Sequence, residues 1–352
     1  MKSILILGGT GAMGAHLVNE LKNSHWQITV TSRSERQSDA NITYIKGNAH
    51  NFEFLKSLLN KRFDVIVDFM AYSTVEFEAR YRTLLSSSRQ YVYFSSSRVY
   101  GDSIVPLTEN DSILINTCTD VNYLKTDEYA LSKCRQENLL RESGYSNYTI
   151  IRPYITYGEQ RLQLGVLEKE EWLYRAMKGR TIVFSTDIAQ KMTTLTYGRD
   201  LSRALIDLLG NEEALGEAFH ITVDESISWS EVLDIYIEEI ERFTGKKAKV
   251  LMQKNSHNLS LSHRKWQVIY DRLLNRTFNN HKIKQYSNNS TFLQPDKGLR
   301  LCIRACMKEP KFTDIHWREE AYYDSLTGEW AKPNEFSSWK MAIKYYLCRV
   351  FF

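Results

Sequence analysis

The chain has 352 residues, of which 46 are basic and 42 acidic, and 43% are hydrophobic. This length allows a large core and two domains. The near balance of charge, with a net value of +4, gives no indication of a protein that binds nucleic acid. No apolar run reaches the ~20 residues that span a bilayer, and the apolar residues 4–7 are too few for a signal-peptide core. We therefore expect a cytoplasmic globular protein.

The cysteines indicate neither a disulfide framework nor a metal site. There are five of them, at positions 118, 134, 302, 306 and 348. Cys302 and Cys306 lie one helical turn apart, but no second pair and no nearby histidine completes a set of metal ligands. Buried free thiols and no bound metal are expected.

The opening residues have the pattern of a dinucleotide-binding turn. An apolar strand runs into glycines at 8, 11 and 14, with Ala12 and Met13 between the last two. An amphipathic helical pattern follows directly. Glycines let the backbone turn tightly and approach a pyrophosphate, whose charge lies at the helix N-terminus. A flexible loop is the alternative, and the flanking strand and helix argue against it.

The first half of the chain alternates strand and helix patterns, which is typical of a doubly wound parallel sheet. After the opening strand, further strands are predicted at 27–31, 42–45, 65–67, 91–94 and 148–151, and helices at 51–59, 74–85 and 127–142. These patterns predict an α/β, Rossmann-like dinucleotide-binding domain over residues 1–165, to which about 190–225 return. Residues 166–352 are expected to form mainly a smaller α+β substrate-binding domain and a C-terminal tail.

The second half is less regular. Helices are predicted near 166–178, 198–209 and 228–243, and short strands near 181–184 and 218–222, whereas the polar stretch 254–295 gives no clear pattern. The tail carries an apolar stripe at helical spacing, consisting of Trp339, Ala342, Ile343, Tyr346, Leu347, Val350 and Phe351. We expect this stripe to dock on the protein or on a second subunit, with peripheral contact to a membrane as the alternative.

A second motif with chemical meaning is Tyr129-Ala-Leu-Ser-Lys133. The spacing places both side chains on one face of a helix, one turn apart. Tyrosine, with an ordinary pKa of ~10, is a poor base near neutral pH. A nearby ammonium group favours the phenolate and lowers this pKa. An ordinary exposed helix face is the alternative, and the glycine turn upstream makes it less attractive.

Together these motifs resemble the extended short-chain dehydrogenases/reductases, in their nucleotide-sugar epimerase/dehydratase branch. The matching segments are the glycines at 8, 11 and 14, the serine-rich segment 94–101, the Tyr129–Lys133 pair, the Arg-Pro-Tyr segment at 152–158 and the segment 196–201. They occur in the family's order over residues 3–240, and the resemblance is thin after 250.

The resemblance implies roles for individual residues. Tyr129 is the catalytic acid/base, and Lys133 orients the nicotinamide ribose and lowers the pKa of the tyrosine. Ser96 takes the place of the residue that hydrogen-bonds the reacting sugar oxygen, although its neighbours Ser95 and Ser97 stay open. The backbone after Pro153 meets the nicotinamide carboxamide, and a hydride moves between the nicotinamide and a sugar carbon.

The cofactor residues depart from the family pattern in informative ways. The second strand ends in Ser32-Arg33, where NAD-binding members carry an acid for the ribose 2′-hydroxyl. Serine and arginine suit a 2′-phosphate, so NADP is favoured over NAD, unless Glu35 supplies the acid. Asn48 takes the place of the adenine-contacting aspartate, and Ala71 closes the cofactor segment after the fourth strand.

The substrate residues also depart from it. Dehydratases carry an Asp-Glu pair where this chain has Ser97 and Arg98, so the acid needed for dehydration is missing. Ser97, Arg98 and Tyr154 are the candidate substrate contacts. Asp68, at the end of the fourth strand, is expected to make a local structural contact.

These inferences predict an NAD(P)-dependent enzyme that epimerises a nucleotide sugar or reduces a keto-sugar. One rival is a non-catalytic member that binds nucleic acid or regulates, and another is a membrane-associated enzyme of lipid-linked sugars. The family also suggests a homodimer, for which Phe77, Tyr81 and Leu85 would supply an apolar face unless they belong to the core.

Overall fold

The computed structural model describes residues 1–257, 259, 264–313 and 315–352. In chain order its strands are β1 (Lys2–Leu7), β2 (Trp26–Ser32), β3 (Ile42–Lys46), β4 (Phe63–Asp68), β5 (Ser88–Phe94), β6 (Tyr148–Ile151), β7 (Ile155–Tyr157), β8 (Gln163–Leu164), β9 (Leu167–Glu168), β10 (Ile182–Ser185), β11 (Met192–Thr193), β12 (Leu195–Tyr197), β13 (Ala218–Phe219), β14 (Ile227–Ser228) and β15 (Val250–Gln253).

Helices separate most of these strands. They are α1 (Gly14–Leu21), α2 (Phe52–Leu58), α3 (Thr74–Glu78), α4 (Tyr81–Ser86), α5 (Leu114–Thr117), α6 (Val121–Leu124), α7 (Tyr129–Arg141), α8 (Leu173–Met177), α9 (Thr186–Ala189), α10 (Gly198–Ile206), α11 (Trp229–Thr244), α12 (Lys265–Gln267), α13 (Pro295–Lys308), α14 (Trp317–Thr327) and α15 (Trp339–Phe351). Among the described residues, no helix is both long and apolar enough to cross a membrane.

The chain folds into two compact units. Unit 1 comprises Met1–Thr156, Thr194–Glu225 and Thr277–Gln294, and unit 2 comprises Tyr157–Thr193, Ser226–Arg276 and Pro295–Phe352. All the residues proposed from the sequence for cofactor, catalysis and substrate lie in unit 1. The assignment of one part to the dinucleotide and the other to the substrate stays a prediction.

Unit 1 is built on one sheet of seven strands in the order β13-β6-β5-β4-β1-β2-β3. Every adjacent pair is parallel. The carboxyl ends of the strands therefore meet at one edge. The order reverses around β1 and β4, and ligands of such sheets bind at this kind of switch point. The predicted α/β, Rossmann-like doubly wound sheet is confirmed.

Both faces of the sheet are buried because successive side chains of a strand point to opposite sides. Ile4 and Ile6 of β1 belong to a core that includes Leu201 of α10. Leu5 and Leu7 belong to the other core, which includes Phe77. The continuous apolar run in β1 is what a strand covered on both faces requires.

The predicted helix 74–85 is broken into α3 and α4. The break falls where the buried Arg80 places its guanidinium 4.4 Å from the centre of the Tyr72 ring. The three side chains suggested for a dimer face, Phe77, Tyr81 and Leu85, are all buried in the core of unit 1. They belong to the core, which was the alternative interpretation, and the homodimer stays a prediction without them.

Unit 2 contains three two-stranded sheets within the described residues, β8–β9, β10–β15 and β11–β14. The helix predicted from residue 166 begins only at Leu173. Gly165 has a φ of +59°, which glycine adopts readily, and the resulting turn folds β8 and β9 into an antiparallel hairpin.

The C-terminal helix α15 packs within unit 2 by a face other than the predicted stripe. Tyr345 is fully buried, and its hydroxyl donates to the Asp324 carboxylate and accepts from the Ala331 N–H. The residues of the stripe that are exposed instead are Trp339, Ile343, Leu347, Val350 and Phe351. Within the stripe, Tyr346 does pack in unit 2 and donates to Ala331 O. The stripe as a whole therefore does not dock on the rest of the chain as expected, and its docking on a second subunit stays a prediction.

Candidate active site

The turn after β1 needs glycine, as Gly8 and Gly14 show. Gly8 has a φ of +72°, in the left-handed region that side chains disfavour. A Cβ atom on Gly14, the first residue of α1, would lie 2.6 Å from Gly9 Cα and 2.7 Å from Gly8 O. Since backbone atoms cannot yield as a flexible side chain would, α1 packs directly on the turn only because residue 14 is glycine.

Gly11 meets a different requirement. Among the described residues, a Cβ atom there would meet only Gly8 O, at 3.4 Å, so the backbone is open. Ala12 is exposed and Met13 is half-buried. At the N-cap of α1, the Met13 side chain makes no capping hydrogen bond to the described residues. The open backbone and the uncapped helix start fit the pyrophosphate of a dinucleotide.

The end of β2 shapes the proposed site for the ribose. Ser32 is buried, and its hydroxyl donates to Ser34 O at 2.7 Å. Arg33 is exposed, and the acidic alternative Glu35 lies 3.6 Å from Lys46 Nζ. A cavity of about 330 Å³ beside the glycine turn is lined by Thr10 and Arg36, among others. Arg36 is a second basic residue that the sequence argument did not select.

Two further cofactor residues were proposed, Asn48 for the adenine and Ala71 after the fourth strand, and they follow the carboxyl ends of β3 and β4. Asn48 is exposed, and its side-chain oxygen accepts from the His50 N–H at 3.1 Å. Ala71 is also exposed. Both positions lie at the same edge of the sheet as the glycine turn, because all these strands are parallel.

Asp68 ends β4 as a fully buried carboxyl group. It accepts from the Tyr91 hydroxyl at 2.8 Å and from the Met70 N–H at 3.0 Å. Burial raises the pKa of Asp68, and these hydrogen bonds oppose the rise. The expected local structural contact of Asp68 is confirmed.

The three serines after β5 have different partners. Ser95 donates to Glu137 Oε1 at 2.5 Å, and Ser97, fully buried, donates to Arg152 O at 2.7 Å. Ser96 instead accepts from the Arg98 N–H at 3.2 Å. In this bond the hydroxyl oxygen of Ser96 is the acceptor, so the hydroxyl group can still donate its proton to another acceptor. The geometry therefore favours Ser96 over its neighbours as a donor to substrate.

Tyr129 and Lys133 lie one turn apart on α7. Lys133 is 2% exposed, and its Nζ donates to Phe94 O at 2.7 Å. The same Nζ lies 5.9 Å from the centre of the Tyr129 ring, and Tyr129 is 41% exposed. Burial lowers the pKa of Lys133 to about 8, although the carboxyl groups of Asp68 and Glu137 oppose this change. The hydrogen bond to Phe94 holds the ammonium group at the end of β5, next to the serines.

Arg98 brings a second cation to Tyr129. Its guanidinium carbon lies 5.3 Å from the centre of the tyrosine ring. The guanidinium donates to Glu128 Oε1 at 2.5 Å, while Glu128 Oε2 caps α7 by accepting from the Ala130 N–H at 2.8 Å. Glu128 was not predicted as a site residue, although its place directly before Tyr129 was a usable signal.

Glu137 was not predicted either; it lies four residues after Lys133 and so on the same face of α7. Glu137 and Arg152 form a buried pair, with Nη2 2.6 Å from Oε2 and Nε 3.0 Å from Oε1.

Next to Arg152, the Pro153 carbonyl accepts from the Ser97 N–H at 2.8 Å. The ring of Tyr154 lies 5.4 Å from that of Phe278.

The structure thus brings Ser96, Arg98, Tyr129 and Lys133 into one connected group at the carboxyl edge of the sheet. The glycine turn, Ser32-Arg33, Asn48 and Ala71 follow neighbouring strands at the same edge. Among the described residues, no group of three or more His, Cys, Asp or Glu side chains is placed to hold a metal ion.

A parallel sheet in this strand order, with a glycine turn after β1, is the architecture of the short-chain dehydrogenases/reductases. The sequence model of the NAD dependent epimerase/dehydratase family matches residues 4–222. The chain belongs to that family.

Similar proteins have different described activities. The chain is 29% identical to "Chloroplast stem-loop binding protein of 41 kDa b, chloroplastic" of Arabidopsis thaliana, over 65% of this chain and 60% of that protein. It is 24% identical to a UDP-N-acetyl-alpha-D-glucosaminuronate decarboxylase of Bacillus cytotoxicus, over 71% of this chain and 83% of the relative. The chain thus matches less than two thirds of the length of the first relative.

Solved structures share the fold. The UDP-glucuronic acid 4-epimerase of Bacillus cereus, in complex with UDP-glucuronic acid and NAD, superposes with a TM-score of 0.66 at 17% identity. The superposition covers 87% of this chain and 99% of the epimerase. At this level of identity the similarity shows the fold alone.

Proposed function

We propose that this chain catalyses nicotinamide-dependent oxidation or reduction at a carbinol carbon of a nucleotide-activated sugar, as an epimerase or a keto-sugar reductase. The observation that carries the proposal is the placement of Lys133 Nζ, 5.9 Å from the Tyr129 ring and bonded to Phe94 O two residues before Ser96. This arrangement supplies a proton carrier, a cation beside it and a hydroxyl donor. The family and the named substrates of its relatives support a nucleotide sugar.

The side chains divide the work as follows. Tyr129 takes the proton from the sugar hydroxyl when the carbon is oxidised and returns it on reduction. Ser96 donates a hydrogen bond to the same sugar oxygen, and its own orientation is fixed by the Arg98 N–H. A bound nicotinamide supplies the hydride acceptor or donor. The Lys133 ammonium favours the ionised form of Tyr129 and binds the nicotinamide ribose.

Arg98 acts on Tyr129 rather than as a lone substrate contact. A guanidinium group over a phenol ring favours the phenolate electrostatically. Arginine also keeps its positive charge at pH values at which a buried lysine is deprotonated. The pair with Glu128 moderates this effect and holds the guanidinium in place. Ser97 and Tyr154 remain proposed substrate residues, although the Ser97 hydroxyl is bonded to Arg152 O.

NADP is proposed as the preferred cofactor, held by Gly8, Gly11, Ala12, Met13, Gly14, Asn48, Ala71 and Pro153 with Ser32 and Arg33 at the 2′-phosphate. Two features support this preference. Arg33 is exposed at the end of β2, and Glu35 is near Lys46. Arg36, which lines the cavity beside the glycine turn, adds a second cation for the phosphate.

The deciding experiment identifies the cofactor retained by protein purified without additives, by mass spectrometry after denaturation, and then compares the affinities for NADPH and NADH. Empty protein that binds NADPH more tightly, with the preference lost in Arg33→Ser, supports a reductase that uses fresh cofactor. Tightly retained NAD(H) supports an epimerase that recycles it and contradicts the proposed role of Arg33. Binding of neither cofactor would overturn the catalytic proposal.

Nucleic-acid binding is the second candidate, and the Arabidopsis relative described as a stem-loop binding protein favours it. The presence of Ser96, Tyr129 and Lys133 and the small net charge of +4 argue against it. Titration of a labelled RNA stem-loop, with Tyr129→Phe as a second sample, separates the two functions. Tight binding that Tyr129→Phe leaves unchanged, with no turnover of nucleotide sugars, would favour the binding protein.

A further inference from the structure

Helix α15 carries an apolar face that unit 2 leaves uncovered. Trp339, Ile343, Leu347, Val350 and Phe351 are spaced by four, four, three and one residues, which places them on one side of a helix. They are exposed, with Trp339 at 70%, Val350 at 73% and Phe351 at 84%. Scattered exposed apolar residues are ordinary, but a contiguous row of five large ones marks an interaction surface.

The other side of α15 fixes how this face is presented. Tyr345 is held by Asp324 and the Ala331 N–H, and its ring lies 5.3 Å from that of Phe336. These contacts bury the side of α15 that carries Tyr345. The row of five apolar residues therefore stays on the exposed side.

The charged residues of α15 itself are all basic. The sequence from 339 to 352 contains Lys340, Lys344 and Arg349 and no acidic residue. Lys340 and Lys344 are exposed, and on the helix they border the row on one side. Arg349 stacks 4.5 Å over the half-exposed ring of Trp330. Tryptophan, apolar and basic side chains together are the composition of a helix that lies at a membrane–water interface.

A cavity next to the helix extends this chemistry. It measures about 460 Å³ and is lined in part by Trp317, Arg318, Met341 and Lys344, with Glu319 as an acidic neighbour. Its apolar lining and the two basic residues suit the same kind of partner as the row, one with apolar chains and negative charge.

We propose that the exposed row of α15 docks this protein on the surface of an anionic lipid bilayer. Docking on a second copy of the chain would bring together two helices whose charged residues are all basic, with no acid on either helix to compensate. An anionic lipid surface complements both the row and its border. The 13 residues of α15 measure about 20 Å along the axis, so the helix lies in the interface plane rather than spanning it. This inference is independent of the catalytic proposal.

The test is sedimentation of the full chain with vesicles of phosphatidylcholine alone and of an equal mixture with phosphatidylglycerol. We expect binding to the mixed vesicles that weakens with added salt. Leu347→Ser/Val350→Ser should abolish it, and Lys340→Gln/Lys344→Gln should reduce it by about fivefold per lysine. Ile104→Ser is the matched control, because Ile104 is a fully exposed apolar residue of unit 1, and it should bind as the wild type does.

Two further measurements distinguish insertion of α15 into the bilayer from self-association of the chain. Mixed vesicles should shift the tryptophan emission of the wild type to the blue, and Trp339→Phe should keep binding but lose most of the shift. Light scattering after gel filtration reports self-association. Absence of wild-type binding, equal binding by Leu347→Ser/Val350→Ser, or a dimer that this variant dissociates without any vesicle binding would each overturn the proposal.

Discussion

The Arg98 guanidinium carbon lies 5.3 Å from the centre of the Tyr129 ring, on which Lys133 Nζ also converges at 5.9 Å. The two cations differ in how they hold their charge. Burial lowers the pKa of Lys133 to about 8, so the lysine begins to lose its proton just above neutral pH. Arginine stays charged at any working pH. Arg98 is therefore the constant part of the field at the tyrosine.

Replacing Arg98 with Gln should raise the apparent pKa that limits sugar oxidation on the acid side. Removal of the cation disfavours the phenolate, and a cation–π contact of ordinary strength corresponds to a shift of about half a pKa unit. Below that pKa, kcat/KM should fall roughly threefold. The measurement is the pH profile of kcat/KM, with Arg98→Lys expected to retain most of the wild-type behaviour.

Glu128→Gln is the matched variant, since glutamine can still accept the Ala130 N–H that caps α7. Loss of the carboxylate leaves the Arg98 charge less compensated, so the apparent pKa should move down. Shifts of the same sign in Arg98→Gln and Glu128→Gln would contradict an electrostatic role for Arg98.

The buried ammonium group of Lys133 should cost stability at neutral pH. In the unfolded chain a lysine binds its proton up to a pKa of 10.5, whereas in the folded chain Lys133 does so only up to about 8. Between these values the unfolded state binds more protons, so folding stability rises with pH. Below pH 8, removal of the buried charge in Lys133→Met should therefore raise the free energy of unfolding by up to about 3 kcal/mol relative to the wild type. Loss of the hydrogen bond to Phe94 O should reduce this gain by about 1 kcal/mol.

This advantage should shrink as the pH rises from 8 towards 10.5. Urea unfolding of both proteins at several pH values measures the difference, and the contribution of other titrating groups cancels in the comparison. A gap that is constant with pH would mean that Lys133 is not the titrating group. Lys133→Met should also be inactive, which would show stability given up for function at this site.

Two glycines of the turn should respond differently to alanine, because Gly14 is required by packing and Gly11 by the approach of the cofactor. Gly14→Ala should lose both stability and cofactor affinity, because its Cβ would lie 2.6 Å from Gly9 Cα; overpacking of this kind costs about 1–3 kcal/mol. Gly11→Ala meets only Gly8 O at 3.4 Å among the described residues. It should keep the wild-type Tm and lose cofactor affinity by an order of magnitude or more. Unchanged affinity in Gly11→Ala would show that the cofactor does not approach this backbone.

The sheet of unit 1 could be predicted because its signals are local. β6 was predicted with its observed bounds, and β1, the glycine turn and α7 follow from apolar runs, glycine spacing and helical periodicity within a few residues. Ser96 reaches the carboxyl edge because it follows β5 in a parallel sheet. Tyr129 and Lys133 lie on α7 instead, and the hydrogen bond from Lys133 Nζ to Phe94 O brings them to the same place.

What the sequence could not predict depends on contacts between distant residues. The stripe on α15 satisfies the periodicity of a buried face, yet Asp324 and Ala331 select Tyr345 instead. Ser95 and Ser97 are identical to Ser96 as residues and differ only through Glu137 and Arg152, some forty or fifty positions away. Periodicity shows that one face of a helix is apolar, but it does not show which distant polar residues will contact the helix and so decide which face is buried.

The buried pair of Glu137 and Arg152 joins α7 to the end of β6, and its loss should be costly. Glu137→Gln leaves the guanidinium buried without its counter-charge, for an expected loss of about 3 kcal/mol in the free energy of unfolding. The double variant Glu137→Met/Arg152→Met should lose less than Glu137→Gln, because no charge is left buried.

Arg141→Gln is the control. Arg141 lies 3.9 Å from the same Glu137 and is 43% exposed, and an exposed pair of this kind contributes at most about 0.5 kcal/mol. Urea unfolding of the four proteins measures these differences, and a Glu137→Gln variant as stable as Arg141→Gln would show that the pair does not hold the helix of Tyr129 to the sheet.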